Sequence, residues 1–148
     1  MRALLQRVSH ARVEVEGQIV GEIGEGLLIF LGIARQDQER DATYLLQKIL
    51  NLRIFPDDQG KMNRSVEDIG GQLLIVSQFT LYGDCRKGRR PTFDQAASPE
   101  NAHILYDFFV NRARETKLTV QCGVFQAAMN VSLLNSGPVT LLCESENG

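Results

Sequence analysis

The segment QLLIVSQF, residues 72–79, decides the fold. Its four consecutive apolar residues, 73–76, are typical of a strand that is buried on both faces. A second run of this kind, LLIFL at residues 27–31, predicts another buried strand. Together the two runs predict a β core.

The segments around these runs add further strands. Residues 2–20 are rich in β-branched side chains, and VEVE at 13–16 alternates before a predicted turn at Gly17-Gln18. The spacing of Gly21, Gly24 and Gly26 is reminiscent of a dinucleotide-binding loop, which needs a helix after it. Because a strand follows instead, these glycines indicate a turn between strands. Shorter strand-like runs lie at residues 52–55, 118–120, 128–134 and 139–142.

Two segments have helical periodicity. The first, at about residues 38–51, has one apolar stripe made of Ala42, Leu45, Leu46, Ile49 and Leu50. The second begins at Ser98-Pro99-Glu100, with Ser98 as the cap and Pro99 in the first turn. Its predicted buried face consists of Ile104, Leu105, Phe108 and Phe109. Since no repeat or linker interrupts the chain, we expect a single domain over residues 1–148.

Composition limits the possible function classes. The chain has 148 residues, 43% of them apolar and 23% charged, with a formal net charge of −2. A nucleic acid would therefore have to bind a local basic patch. The three cysteines are far apart and the two histidines belong to no metal-binding pattern, so we expect reduced thiols and neither metal nor cofactor. With no apolar run of about 20 residues and no signal-peptide pattern, we expect a cytoplasmic protein without a membrane partner.

The polar end of the central strand, SQFTLY at residues 77–82, is the first candidate site. Ligand groups converge at strand ends in sheets that helices cover. The hydroxyls of Ser77 and Thr80 and the amide of Gln78 suit an ester or a ribose. The alternative is that these groups only satisfy the backbone where the strand ends.

A basic segment follows directly, with Arg86, Lys87, Arg89 and Arg90 within five positions. Such a cluster suits phosphates, although a solvated loop explains it equally well. Its position after the polar strand end favours a contact with nucleic acid.

The dipeptide Gly137-Pro138 on its own predicts a hairpin turn. His10 and His103 are distant in sequence from Ser77 and Thr80, so a histidine-activated nucleophile is poorly supported.

Three segments, SQFTLY at 77–82, RKGRRP at 86–91 and NSGPVT at 135–140, closely resemble the D-aminoacyl-tRNA deacylases. The likeness continues nearly end to end through QRV at 6–8, KILNLRIF at 48–55 and GVF at 123–125. Gln126 and Ser136 depart from the family, which more often has glycine and aspartate there. The resemblance implies a mixed α/β fold with a largely antiparallel β core, in which barrel-like curled sheets have two main helices packed outside.

The resemblance also implies an activity. The family hydrolyses the ester between a D-amino acid, or a glycine mischarged on tRNA(Ala), and the terminal adenosine of tRNA. It forms a homodimer in which a cis Gly-Pro of one subunit enters the pocket of the other and rejects L-aminoacyl-tRNA. Carried over, Gly137 and Pro138 are the chiral selector, and Arg7 helps to hold their loop.

By the same resemblance, Ser77, Gln78, Phe79 and Thr80 line the ester, and the last three orient it. The 2′-hydroxyl of the tRNA assists hydrolysis. Phe125 and Met129 contact the adenine, unless they only pack in the core. Two other functions stay open at this point. One is a nucleic-acid-binding module without turnover that uses Arg86, Lys87, Arg89 and Arg90; the other is a hydrolase with Thr80 as nucleophile.

Overall fold

The computed structural model describes residues 1–145, which form one curled sheet, a small second sheet and two helices. In chain order the elements are β1 (Arg2–Val15), β2 (Gln18–Ile23), β3 (Gly26–Gly32), α1 (Glu39–Asn51), β4 (Phe55–Pro56), β5 (Met62–Arg64), β6 (Gln72–Ser77), α2 (Pro99–Arg114), β7 (Val120–Cys122) and β8 (Asn130–Glu144). Of these, β4 and β5 pair only with each other. Within the described residues, neither helix is both long and apolar enough to cross a lipid bilayer.

The main sheet is organised around the long strand β1. It pairs antiparallel with β2, β3 and β8, whereas β3, β6 and β7 run parallel to one another. Strand β2 also contacts β6 and β7, so the sheet curls back on itself. The predicted mixed, largely antiparallel and barrel-like core with two outer helices is therefore confirmed.

The buried strands β3 and β6 lie side by side at the centre of the sheet, as their apolar runs predict. Gly26 lets them approach, because a Cβ at this position would clash with the backbone of Gln72. One face of the sheet packs against both helices in the larger of two apolar clusters. This packing fixes the end of β6, where the polar residues follow.

Both predicted helices are present. Gln38 caps α1, and its backbone N–H donates to Asp41 Oδ2 over 2.9 Å. The predicted apolar stripe of this helix is buried. Ser98 caps α2 by accepting a hydrogen bond from the Asn101 N–H over 3.4 Å. The predicted inner face of α2 was partly wrong, because Ile104 is 63% exposed. The helix is rotated so that it buries Leu105, Tyr106, Phe109, Val110 and Ala113.

The hairpin turn suggested by Gly137-Pro138 is wrong. Residues 130–144 form one strand, and the Gly137–Pro138 peptide within it is cis. Gln6 pairs with Thr140 and Val8 with Asn135, so residues 136–139 stand opposite Arg7 alone. Four residues facing one must bulge out of the sheet. We call this bulge, residues 136–139, the β8 tip.

Candidate active site

A cavity of about 660 Å³ opens where β6 ends. Its walls also come from the segment before α2, from the first turn of that helix and from the chain between β7 and β8. Every lining side chain among the described residues is apolar, a hydroxyl or an amide: Leu31, Ile33, Val76, Ser77, Gln78, Phe79, Phe93, Ala96, Ala97, Pro99, Ala102, Phe125, Gln126, Ala127, Met129 and Val131. The cavity therefore suits an uncharged, partly apolar group.

The end of β6 supplies the polar side of the cavity. The backbone N–H of Gln78 donates to the Leu31 carbonyl over 2.8 Å, and the chain then enters a 3-10 turn at Phe79–Tyr82. The N–H groups of Phe79 and Thr80, at the start of this turn, have no acceptor within residues 1–145. Two backbone donors are thus available beside the cavity, as an oxyanion requires.

Thr80 occupies a different position from its neighbours. Its hydroxyl accepts a hydrogen bond from the side-chain amide of Gln78, and Thr80 is exposed rather than part of the cavity wall. The structure thus brings Gln78 and Thr80 together, and of the two only Gln78 lines the cavity.

Phe125 and Met129 also line the cavity, and their contact with the adenine stays a prediction. Gly123 makes room for Met129, because a Cβ there would lie 2.6 Å from the Met129 sulfur. The Phe125 ring stacks on His103, with centroids 4.4 Å apart and planes 12° from parallel. Tyr106 packs on the same ring and donates from its hydroxyl to the Ile75 carbonyl over 2.7 Å. Burial raises the pKa of this phenol, so it stays a donor.

The basic segment forms a loop that Asp84 and Thr92 close through reciprocal backbone hydrogen bonds of 2.8 and 3.0 Å. The Arg86 guanidinium donates to both oxygens of Asp84, over 2.9 and 2.7 Å, and lowers the pKa of that carboxyl to about 2. Arg86 is therefore engaged within the loop. Lys87, Arg89 and Arg90 are exposed and make no ion pair with any described residue.

The β8 tip lies outside this cavity, since Gly137 and Pro138 are exposed and do not line it. Arg7 donates from Nε to the Ser136 carbonyl over 2.8 Å and from Nη1 to the Ile54 carbonyl over 2.6 Å. The Asn135 side chain accepts from the Val139 N–H over 2.7 Å. The tip is thus tied down at both ends while its centre faces outward.

Several cavity residues could not be identified from the sequence. Phe93, Ala97 and Ala102 reach the wall through tertiary packing and carry no local signal. For Gln126 the sequence did give an indication, because the family more often has glycine at this position. Its φ of +65° lies in the left-handed region, which favours glycine.

Comparison with known proteins agrees with this architecture. The model of the D-Tyr-tRNA(Tyr) deacylase family matches residues 4–144. The D-aminoacyl-tRNA deacylases of Syntrophus aciditrophicus (strain SB) and Bacillus thuringiensis (strain Al Hakam) are 56% and 58% identical over 146 residues. Each alignment covers 99% of this chain, with 98% of the first relative and 100% of the second.

Solved structures also match. One, described as "c-Myc DNA Unwinding Element Binding Protein", is 39% identical with a TM-score of 0.93, over 98% of this chain and 99% of that one. Another, a probable eukaryotic D-amino acid tRNA deacylase, has 20% identity and a TM-score of 0.83, over 97% and 98% of the two chains, and so supports the fold. By the family match and its close relatives, the chain belongs to the D-Tyr-tRNA(Tyr) deacylase family.

Proposed function

We propose that this D-aminoacyl-tRNA deacylase removes D-amino acids, and glycine mischarged on tRNA(Ala), from the terminal adenosine of tRNA by the mechanism below. The observation that carries the proposal is the uncharged cavity with two backbone N–H groups beside it. Its volume falls within the range of pockets that enclose a small organic ligand, about 300–1,000 Å³. An aminoacyl-adenosine is a ligand of this size.

The proposed reaction is hydrolysis of the ester. A water oxygen adds to the carbonyl carbon, and the N–H groups of Phe79 and Thr80 stabilise the negative charge that develops on the carbonyl oxygen. The bond to the ribose oxygen then breaks, and that oxygen takes up a proton. The products are the free amino acid and tRNA with both terminal ribose hydroxyls restored.

We assign the proton transfers to the substrate. The described cavity lining offers one side-chain hydroxyl, on Ser77, and two amides, on Gln78 and Gln126. We propose that Ser77 and Gln78 orient the ester. The vicinal 2′-hydroxyl of the ribose adjoins the reacting centre in every aminoacyl-tRNA. Positioning this hydroxyl and the water accelerates the reaction without a titrating side chain.

The alternative nucleophile, Thr80, is less well supported. Its hydroxyl already accepts a hydrogen bond from Gln78, and its side chain is not part of the cavity lining. A threonine hydroxyl needs an adjacent base to become nucleophilic, and an amide donor is not a base. We therefore propose that Gln78 orients the substrate with its side chain, and that Thr80 does so through its backbone N–H and its hydrogen bond to Gln78.

We further propose that chirality is read by a second copy of the chain. The β8 tip is exposed and outside its own cavity, and the same strand exposes apolar Leu134, Leu141 and Leu142. Such side chains suit an interface between two identical subunits. In the homodimer we propose, the tip of each subunit enters the cavity of the other, and Arg7 holds its position.

Main-chain groups at the tip explain the substrate range. With the amino group of the substrate held by peptide carbonyls, an L side chain is directed at the wall, whereas a D side chain is directed away from it. Glycine has no side chain that the wall could exclude, so glycyl-tRNA is also hydrolysed. For the adenine we propose contacts with Phe125 and Met129. We also expect the chain to act as one domain in the cytoplasm, where charged tRNA is found.

The direct experiment compares the release of D-Tyr, L-Tyr and glycine from charged tRNA. We expect release of D-Tyr and glycine, and much slower release of L-Tyr. Equal rates for the two tyrosine enantiomers would contradict the chiral cavity. A substrate that ends in 2′-deoxyadenosine tests the assisting hydroxyl and should be hydrolysed far more slowly.

The Thr80→Ala variant separates the two roles of Thr80. We expect it to keep substantial activity, with no covalent acyl-enzyme formed by the unmodified chain. Near-total loss in this variant, with an acyl intermediate in the unmodified chain, would instead establish Thr80 as the nucleophile.

A further inference from the structure

Phe79 has an exposed aromatic side chain that its proposed backbone role does not require. The proposed oxyanion contact uses the N–H of Phe79, which any residue except proline could provide. Phe79 is nevertheless 57% exposed, and its ring lies edge-on to Phe93 with centroids 5.1 Å apart. Both rings line the cavity, so together they place an aromatic surface at its rim.

Phe93 is fixed to this surface by the basic loop. The Asp84–Thr92 hydrogen bonds close the loop immediately before Phe93. Gly83 leaves room for the ring, because a Cβ there would lie 3.0 Å from Phe93 Cε1. The aromatic pair and the cations thus belong to one short, internally bonded segment.

The cations of that segment complement a nucleic-acid backbone. Lys87, Arg89 and Arg90 are exposed and make no ion pair within residues 1–145, whereas Arg86 braces the loop through Asp84. Exposed aromatic rings beside cations are the combination that binds single-stranded nucleic acid, through base stacking and phosphate contacts.

We propose that Phe79 and Phe93 form a stacking platform for the nucleobase that precedes the terminal adenosine of the substrate. This inference rests on the proposed function, which places the terminal adenosine and its ester inside the cavity. The single-stranded end of the tRNA then has to leave the cavity past its rim. The preceding cytidine meets the Phe79–Phe93 surface there, and the phosphates that follow meet Lys87, Arg89 and Arg90.

The test uses three small esters of D-tyrosine: with adenosine, with the dinucleotide CpA, and with a CpA analogue that has an abasic sugar in place of cytidine. The readout is kcat/KM for tyrosine release. Stacking of one base contributes about 5-fold or more in affinity, so the CpA ester should exceed the adenosine ester by about that factor. The abasic analogue keeps the phosphate and should lose most of the gain.

Phe93→Leu and Phe79→Leu should bring the ratio of the CpA to the adenosine ester close to one. Phe79 is the safer variant for folding, because its ring is exposed. Phe108→Leu is the matched control, since Phe108 is half-buried on α2 and does not line the cavity. It should keep the ratio of the unmodified chain.

Each result bears on the proposal. A ratio of one in the unmodified chain, or a ratio that survives in both phenylalanine variants, would overturn the platform while the proposed function stands. The platform is also overturned if the abasic analogue reacts as well as CpA, or if these variants change the mass of the assembly but not the ratio. Release from none of the esters would overturn the proposed function and the platform with it.

Discussion

Replacing Gly137 with alanine should destabilise the chain and weaken its preference for D-substrates. Gly137 has a φ of +147°, which side-chain-bearing residues rarely adopt, and this strain costs about 1–3 kcal/mol. The added Cβ would lie 2.8 Å from Val139 Cγ2 and 2.9 Å from the Val139 nitrogen. That nitrogen donates to Asn135, so moving it weakens a hydrogen bond worth about 1 kcal/mol.

The free energy of unfolding should therefore fall by about 2–4 kcal/mol, which lowers Tm by about 5–15 °C in a chain of this size. Because the tip must shift, the D-over-L ratio of deacylation rates should fall about 10- to 100-fold, as expected for a misplacement of about 1 Å. Thermal unfolding and deacylation of D-Tyr-tRNA and L-Tyr-tRNA measure the two effects.

Gly60→Ala is the matched control. Gly60 has a φ of +79°, and a Cβ there would meet nothing within 4 Å, so this variant has the backbone strain without the clash. The reasoning is refuted if Gly137→Ala unfolds at the same temperature as Gly60→Ala and keeps the D-over-L ratio of the unmodified chain.

Three further predictions concern the backbone of Gln126, the Asp84–Arg86 pair and the hydrogen bond of Tyr106. Gln126→Gly should raise the free energy of unfolding by about 1 kcal/mol, because its φ of +65° suits glycine, and a lower Tm would contradict this. The Asp84 carboxyl has a pKa lowered to about 2, so its contribution to stability is full above about pH 4 and is lost as pH falls towards 2. An NMR titration of this carboxyl should show its pKa return towards 3.8 in Arg86→Gln, and an unchanged value would exclude the pairing. Tyr106→Phe removes the hydrogen bond to Ile75 and should cost about 0.5–1.5 kcal/mol in chemical denaturation, and no measurable loss would contradict the bond.

Local sequence patterns predicted the elements that depend on local physics. The stripe of α1 and the Ser98 cap of α2 involve residues within one or two turns, and the central strands are unbroken apolar runs. The predicted turn at Gly17-Gln18 was displaced by one residue, because Glu16 and Gly17 both adopt positive φ. Ile104 was misassigned because α2 has apolar residues on more than one side.

Contacts between distant segments were not predictable in the same way. The β8 tip bulges because Arg7 alone stands opposite residues 136–139, and only the pairing of β1 with β8 reveals this. Phe93 reaches the cavity through its contact with Phe79, and Ala102 reaches it from the first turn of α2. The sequence placed four cations in the basic segment, but it did not show that Asp84 engages Arg86 rather than one of the other three.

The central claim is that the tip of one subunit reads chirality in the cavity of its partner. The measurement that tests it most directly uses two defective chains, Gly137→Ala with an altered tip and Ala102→Trp with a cavity filled by a large ring. Ala102 lies on α2 and lines the cavity, so the new side chain occupies the substrate's space. The two chains carry different tags, are expressed together and are purified through both tags.

In the mixed dimer, the open cavity of the Gly137→Ala chain faces the unmodified tip of the Ala102→Trp chain. The account predicts that this cavity regains the D-over-L ratio of the unmodified protein. A ratio that stays at the value of the Gly137→Ala chain alone would contradict it, because each cavity would then be shaped by its own tip.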